Sequence, residues 1–386
     1  LLFIVFQEDF GISFEMIGRL ILINFSVQIA ADFFAVKYVD RIGYRAAAVA
    51  AHIFSAAGLI ALGVLPRLLP TPYVGIVIAV VVYAIGGGLI EVLISPIVES
   101  LPGEAKASAM SLLHSFYCWG QMGVVLVTTA FIKILGADIW FLLPILWSLV
   151  PIFNLFRFLK VPLMPAIPDE HKTPVRQLLN SRVFLTAMLL MVCAGAAELT
   201  MSQWSSLFAE KGLHVPKFVG DLLGPCLFAV LMGTGRTLYG VWGHKINLKK
   251  ALLASGILCV ACYAVTVFVQ IPIVSLLGCA LCGLSVSLMW PGTFSLSAAS
   301  HPMGGTAMFG ILAIFGDIGG AVGPWLVGLF SDLSQKSARL VALGSSYGLS
   351  AEQVGLKTGL LIAMVFPVAL VVGILRLTRK GRRNKA

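Results

Sequence analysis

Charge is what this sequence has least of. Asp, Glu, Lys and Arg make up 11% of its 386 residues, against 59% hydrophobic, whereas a soluble domain is about a quarter charged. With a mean hydropathy of +0.97, that shortage excludes an ordinary soluble fold. A disulfide framework is missing as well, because all seven cysteines fall inside apolar runs. No polar stretch is long enough for a signalling domain, which argues against a sensor. No His/Asp metal-ligand set or nucleophile constellation stands at a lipid surface, which argues against a membrane-embedded transferase. The expectation is therefore no enzyme, no catalytic residue, no metal and no cofactor. The opening Leu1–Phe6 has neither a basic n-region nor a cleavage site, so it does not read as a signal peptide.

What is present is a succession of apolar runs of about 20 residues, the length a membrane helix needs. Eleven spans are predicted: 17–37, 46–65, 74–97, 109–134, 139–160, 183–207, 221–243, 250–270, 272–296, 306–331 and 357–378. Six helical residues at the start cover only about 9 Å of a core about 30 Å thick. The chain also starts without Met, so Leu1–Phe6 reads as the end of a twelfth helix that begins upstream.

The net charge of +10 raises the question of nucleic acid, and its placement answers it. With the loop after residue 37 inside, the inner loops hold eighteen Lys and Arg and the outer loops eight. That asymmetry puts both termini in the cytoplasm. The basic tail, Arg376–Lys385, reads as an anchor near anionic lipid. The expected partners are membrane lipid and a small solute, not nucleic acid. The chain is expected to work as a monomer, multi-pass in a plasma membrane (the inner membrane of a bacterium).

Residues 161–182 hold Pro162, Pro165, Pro168 and Pro174 among polar residues. Proline ends helices and favours extended backbone. This stretch reads as a cytoplasmic linker between a six-helix bundle over 1–160, with its first helix incomplete, and a second over 183–378, followed by the tail 379–386. The halves echo each other. Gly-Leu-x6-Pro occurs at Gly88–Pro96 and at Gly283–Pro291, an offset of 195. Charged loops follow the second and eighth spans at 40–45 and 244–250, and Gly120-Gln121-x-Gly123 is echoed by Gly316-Asp317-x-Gly319. The pattern predicts an internal duplication, and a binding site at mid-membrane between the repeats. Ser350-Ala-Glu-Gln353 has the form of a capping box for the last helix.

The most informative residue is Glu91, deep in the apolar run 74–97. A carboxyl near the bilayer centre costs roughly 2.5–3.5 kcal/mol on insertion scales. Fold stability gives no reason to keep it, so it reads as a group that binds a polar solute or carries a proton. Asn24, Gln28 and Asp32 recur at i, i+4 and i+8, one face of a helix. Asn24 and Gln28 are read as cavity lining, with interhelical hydrogen bonding as the alternative. Asp32 is placed near the inner surface, where it could support the charged loop. His114, Tyr117 and Gln121 share a second face, and Glu198, Ser202, Gln203 and Trp204 lie on the seventh span. Glu198, near the outer end of its span, is either a solute ligand or simply solvated. Trp204, Trp290, Trp119 and Tyr83 are candidate stacking rings, though aromatics in membrane helices also serve as packing and as anchors. Trp290 gains weight from Pro291, where a broken helix could expose backbone groups. Arg236 lies within a span and needs an anion, for which Asp317 is the first candidate. Cys259-x-x-Cys262 and Cys279-x-x-Cys282 have the spacing of a zinc site. Four thiolates would leave net negative charge in hydrocarbon, so they are read as small packing residues.

Asp40-Arg41-x-Gly43-x-Arg45 after the second span, with the linker and twelve expected helices, resembles the major facilitator superfamily. Val36 stands where the family motif, Gly-x-x-x-Asp-Arg-x-Gly-x-Arg, begins with Gly. The resemblance implies an all-α fold of two six-helix bundles with pseudo-twofold symmetry. It also implies a conformational gate at Asp40, Arg41, Gly43 and Arg45. Gly86-x-Gly88-x-x-Glu91-x-x-x-Ser95-Pro96 is similar to the fourth helix of the L-fucose/proton symporter branch, with Ser95 where that branch has Asn. Trp290-Pro291-Gly-Thr293-Phe294 is similar to that branch's tenth-helix motif. By resemblance Glu91 takes both sugar recognition and proton coupling. The expectation is a secondary active transporter working by alternating access, moving a sugar or polyol with H⁺, or with Na⁺ in its place. A drug/proton antiporter on the same scaffold is the alternative.

Overall fold

The computed structural model describes residues 6, 9–12, 14–136, 138–164 and 173–383. Leu1–Val5 of the opening stub, residues 165–172 of the linker and 384–386 of the tail lie outside the described residues. Among the described residues the regular structure is all helical. Eleven segments are long and apolar enough to cross a membrane, and each overlaps one span predicted above.

In chain order the longer helices are α1 (Phe14–Ile42), α2 (Tyr44–Leu68), α3 (Pro72–Glu99), α4 (Lys106–Leu135), α5 (Leu142–Lys160), α6 (Arg182–Leu207), α7 (Leu227–Trp242), α8 (Leu248–Phe268), α9 (Pro272–Val286), α10 (Met289–Ser300), α11 (Gly305–Gln335), α12 (Ala351–Ala363) and α13 (Val365–Arg383). Their ends follow local chemistry. α3 opens on Pro72, whose fixed φ and missing N–H suit a first turn. The Asn247 side chain accepts from the Lys250 N–H at the start of α8. The capping box at α12 is complete: Ser350 Oγ accepts from the Gln353 N–H and Gln353 Oε1 from the Ser350 N–H. Gly43 turns the chain from α1 into α2 at φ 89°, a left-handed conformation that costs a side-chain-bearing residue about 1–2 kcal/mol. Lys357, counted above among outer-loop charges, lies buried within α12. Its Nζ donates to the carbonyls of Val267 and Val269, the free acceptors at the end of α8.

By packing, the chain divides into two compact units. Unit 1 comprises Leu1–Pro102, Gly123–Val175 and Pro302–Ile314, and unit 2 comprises Gly103–Met122, Arg176–His301 and Phe315–Ala386. The first half of α4 thus belongs to unit 2, and the start of α11 to unit 1.

Small residues set the packing in both units. The core of unit 1 includes Ala35, Ala47, Ala48 and Ala51 beside Val92 and Leu93. In lipid, where apolar burial between helices gains little, small side chains let backbones meet. The expected duplication shows in this packing. A Cβ on Gly88 of α3 would meet the Gln28 carbonyl of α1. A Cβ on Gly283 of α9 would likewise meet the Phe228 carbonyl of α7. Each glycine brings its helix onto a carbonyl of the helix two spans earlier.

Candidate functional site

Within unit 1, the polar face of α1 meets α3. Gln28 Nε2 donates to Glu91 Oε2, and both side chains are half-buried. Gly88, one turn before Glu91, makes this approach possible, since a Cβ there would stand 3.0 Å from Asp32 Oδ1. Asp32 is fully buried, and Asn24, one turn before Gln28, is half-buried. A carboxylate and an amide at mid-helix thus share a hydrogen bond. Each keeps capacity for more, because a carboxylate has about four acceptor positions and an amide two donors and two acceptor positions.

At one end of unit 1, Asp40 Oδ1 accepts from Thr306 Oγ1 at 2.5 Å, and Tyr44 Oη lies 3.1 Å from the same hydroxyl. Thr306 stands in the first turn of α11, where helix N–H groups favour an anion. Arg45 donates to the carbonyls of Phe158, Leu159 and Val161, which closes the end of α5. Arg41 is exposed. The family glycine replaced by Val36 has its counterpart across the contact: a Cβ on Gly310 would fall on Val36 Cγ2 and stand 3.1 Å from Val92 Cγ1.

Within unit 2 the centre is Arg236. Its Nη2 donates to Glu198 Oε2 at 2.8 Å, with the two side chains 3% and 9% exposed. The carboxylate that meets Arg236 is therefore Glu198, where the sequence suggested Asp317 first. The two acids offer the same chemistry, and the choice is made by α6 and α7 both packing on α9, which brings the long side chains of Glu198 and Arg236 within reach of each other. Nε donates to the Ser287 carbonyl at 3.0 Å. That carbonyl has no helical partner because Pro291, four residues on, carries no N–H. The helix break expected beside Trp290 is present between α9 and α10, and the acceptor it frees is taken by Arg236. Nη1 donates to the His114 carbonyl at 3.1 Å and to Cys118 Sγ at 3.3 Å.

The other candidates in unit 2 spread out. Tyr117 is exposed, with its ring centroid 6.0 Å from the guanidinium carbon of Arg236. The His114 ring lies 5.7 Å from Phe294, which Trp290 meets edge-on at 6.1 Å. Trp290 rests on Gly316, so it contacts α11 beside the buried Asp317. Trp204 donates to the Pro324 carbonyl at 3.1 Å and packs on Gly328. That is twelve residues further along α11, about 18 Å. Trp204 and Trp290 therefore do not share one subsite. Trp119 donates to Thr237 Oγ1 at 3.1 Å. Gln121 is half-buried and Gln203 exposed. Tyr83 backs onto Gly58, which fits a packing role. Cys259 and Cys282 bring their sulfurs to 3.8 Å, and Cys279 lies 3.7 Å from Thr266 Oγ1. Sequence reasoning passed over Thr306, Thr237 and the Ser287 carbonyl. The carbonyl had a legible signal in Pro291, whereas the two threonines had none.

Among the described residues, eleven helices long and apolar enough to cross a membrane define a polytopic membrane protein. A sequence model of the Major Facilitator Superfamily matches residues 1–324, and the chain belongs to that family. A variant of the E. coli fucose:proton symporter FucP aligns with TM-score 0.71 at 14% identity, over 94% of this chain and 90% of that one. The proton:xylose symporter XylE, bound to 6-bromo-6-deoxy-D-glucose, aligns with TM-score 0.69 at 15% identity, over 92% and 86%. A bacterial homologue of the iron transporter ferroportin, in an outward-facing state, aligns with TM-score 0.68 at 12% identity, over 95% and 91%. Among curated proteins no relative matches. At these identities the likeness shows the fold.

Proposed function

We propose that this transporter is a symporter that couples H⁺ to the movement of a sugar or polyol. The observation that carries the reading is the hydrogen bond from Gln28 to Glu91 inside unit 1. A carboxylate kept in an apolar span is costly unless it has work to do. An amide and a carboxylate side by side also match the hydroxyls of a polyol, which both donate and accept. Glu91 carries the proton, Gln28 and Asn24 complete the polar face, and a solute hydroxyl competes with Gln28 for the carboxylate. Solute and proton then change each other's affinity by the same factor, because linkage is reciprocal. The sugar:proton symporters FucP and XylE share the fold and support this class. The ferroportin homologue shows that the same fold also serves an iron transporter. The solute class therefore rests on Glu91 and Gln28 rather than on the architecture. The gate is Asp40 with Thr306 and Arg45 with α5, on the cytoplasmic side with both termini.

The test is proteoliposomes loaded with a pH-sensitive dye and challenged with sugars, polyols, amino acids and cationic drugs. Symport predicts that an inward sugar gradient acidifies the lumen in Na⁺-free buffer. Glu91→Gln should abolish that signal while labelled solute still exchanges at equal concentrations. Alkalinisation driven by a drug would establish the antiport reading. Proton-driven accumulation that survives in Glu91→Gln would remove Glu91 from the mechanism.

A further inference from the structure

The first half of α4 is fitted to α7 within unit 2. A Cβ on Gly233 would stand 3.0 Å from Cys118 Cβ, and one on Gly240 would stand 2.9 Å from Leu112 Cβ. These glycines are two turns apart, so one edge of α7 is bare along α4. Ser111 Oγ donates to the Arg236 carbonyl at 2.8 Å, and Trp119 donates to Thr237. Between these points the Arg236 guanidinium reaches across to the His114 carbonyl and Cys118 Sγ. Neutral acceptors do not compensate a buried guanidinium, so its placement depends on the Glu198 carboxylate.

The duplication gives this arrangement a counterpart. In unit 1 the start of α11 is held by Asp40 and Tyr44 through Thr306. The second half's equivalent loop, 244–250, has no Asp-Arg-x-Gly-x-Arg pattern. The segments of α4 and α11 that join the other half's unit end at Met122 and Ile314, beside the echoed glycine motifs 120–123 and 316–319.

We propose that Glu198 and Arg236 form a charge latch that positions the first half of α4, doing deep in unit 2 what Asp40 does for α11. Both are positioning residues. They set the placement of His114 and Tyr117 through the α4 backbone and do not themselves contact solute. The latch is independent of the role of Glu91.

Hydrogen–deuterium exchange on the full-length protein in lipid nanodiscs tests it without knowledge of the solute. Glu198→Gln keeps volume and removes charge, whereas Glu198→Asp keeps charge and changes volume. The latch predicts that Glu198→Gln speeds exchange in residues 108–122 by about tenfold, while α8 and α9 stay within about twofold of wild type. Glu198→Asp should retain most of the protection. If Glu198→Gln does not fold, Trp119→Phe removes one hydrogen bond from the same face and should give a rise of about threefold confined to 108–122. Unchanged exchange in 108–122, an equal rise across α8 and α9, or Glu198→Asp less protected than Glu198→Gln would each overturn the proposal. The last pattern would show that volume, not charge, holds the contact.

Discussion

Val36 and Gly310 offer a test of whether the family glycine has changed sides. Val36 is half-buried on α1, and Gly310 is buried on α11 against Val36 and the fully buried Val92. Val36→Gly removes a half-buried isopropyl group, about 1.5 kcal/mol, and puts a helix-interior glycine in place of a valine, about 0.5 kcal/mol more. It should destabilise by about 2 kcal/mol. Gly310→Ala sets a Cβ onto a stiff β-branched side chain. Overpacking of this kind costs about 1–3 kcal/mol, less about 1 kcal/mol of gained helix propensity, so the net loss is about 1 kcal/mol. Independent effects would sum to about 3 kcal/mol. With the valine gone, however, the nearest atom to the alanine is Val92 Cγ1 at 3.1 Å, which a shift of a few tenths of an ångström relieves, so most of its propensity gain remains. The double variant should therefore lose about 1 kcal/mol, a coupling of about 2 kcal/mol. A thermal-unfolding cycle in detergent reads this as an order, with the double variant melting a few degrees above Val36→Gly alone. If Gly310→Ala lowers the melting temperature equally in both backgrounds, the contact does not carry the packing and the reasoning fails.

Three further expectations follow from single contacts. Arg236→Met leaves the Glu198 carboxylate buried without its cation and should cost about 3–5 kcal/mol, whereas Arg236→Met with Glu198→Leu should recover most of that loss in a denaturant series. Gly43→Ala should cost about 1–2 kcal/mol through its left-handed backbone while Gly87→Ala, which meets open space, is near neutral or stabilising in the same thermal assay. Ser350→Ala should cost about 1 kcal/mol by removing one arm of the capping box, and a change above about 2 kcal/mol would mean the loop does more than cap.

The eleven spans, the capping box and the family were legible in the sequence because each is written locally. A hydrocarbon core about 30 Å thick demands runs of about 20 apolar residues whatever the tertiary packing, so hydropathy alone finds them. That Glu91 puts a carboxyl inside an apolar span was legible for a similar reason, since its position in the run alone shows it. Even the helix break between α9 and α10, just before Trp290–Pro291, was announced by proline chemistry.

What the linear chain left open was partnership. Arg236 needed an anion, but Glu198 and Asp317 are the same to a reader of sequence. Only the packing of α6 and α7 against α9 made Glu198 the partner. Lys357 looked like a loop charge until α12 buried it over the end of α8. The glycine missing at Val36 reappeared at Gly310, far along the chain and on the other side of one contact. Span, cap and solvation cost are properties of a residue and its immediate neighbours, so the sequence by itself determined them. Ion pairing and glycine contacts depend on which helices touch, and only the tertiary structure decided those.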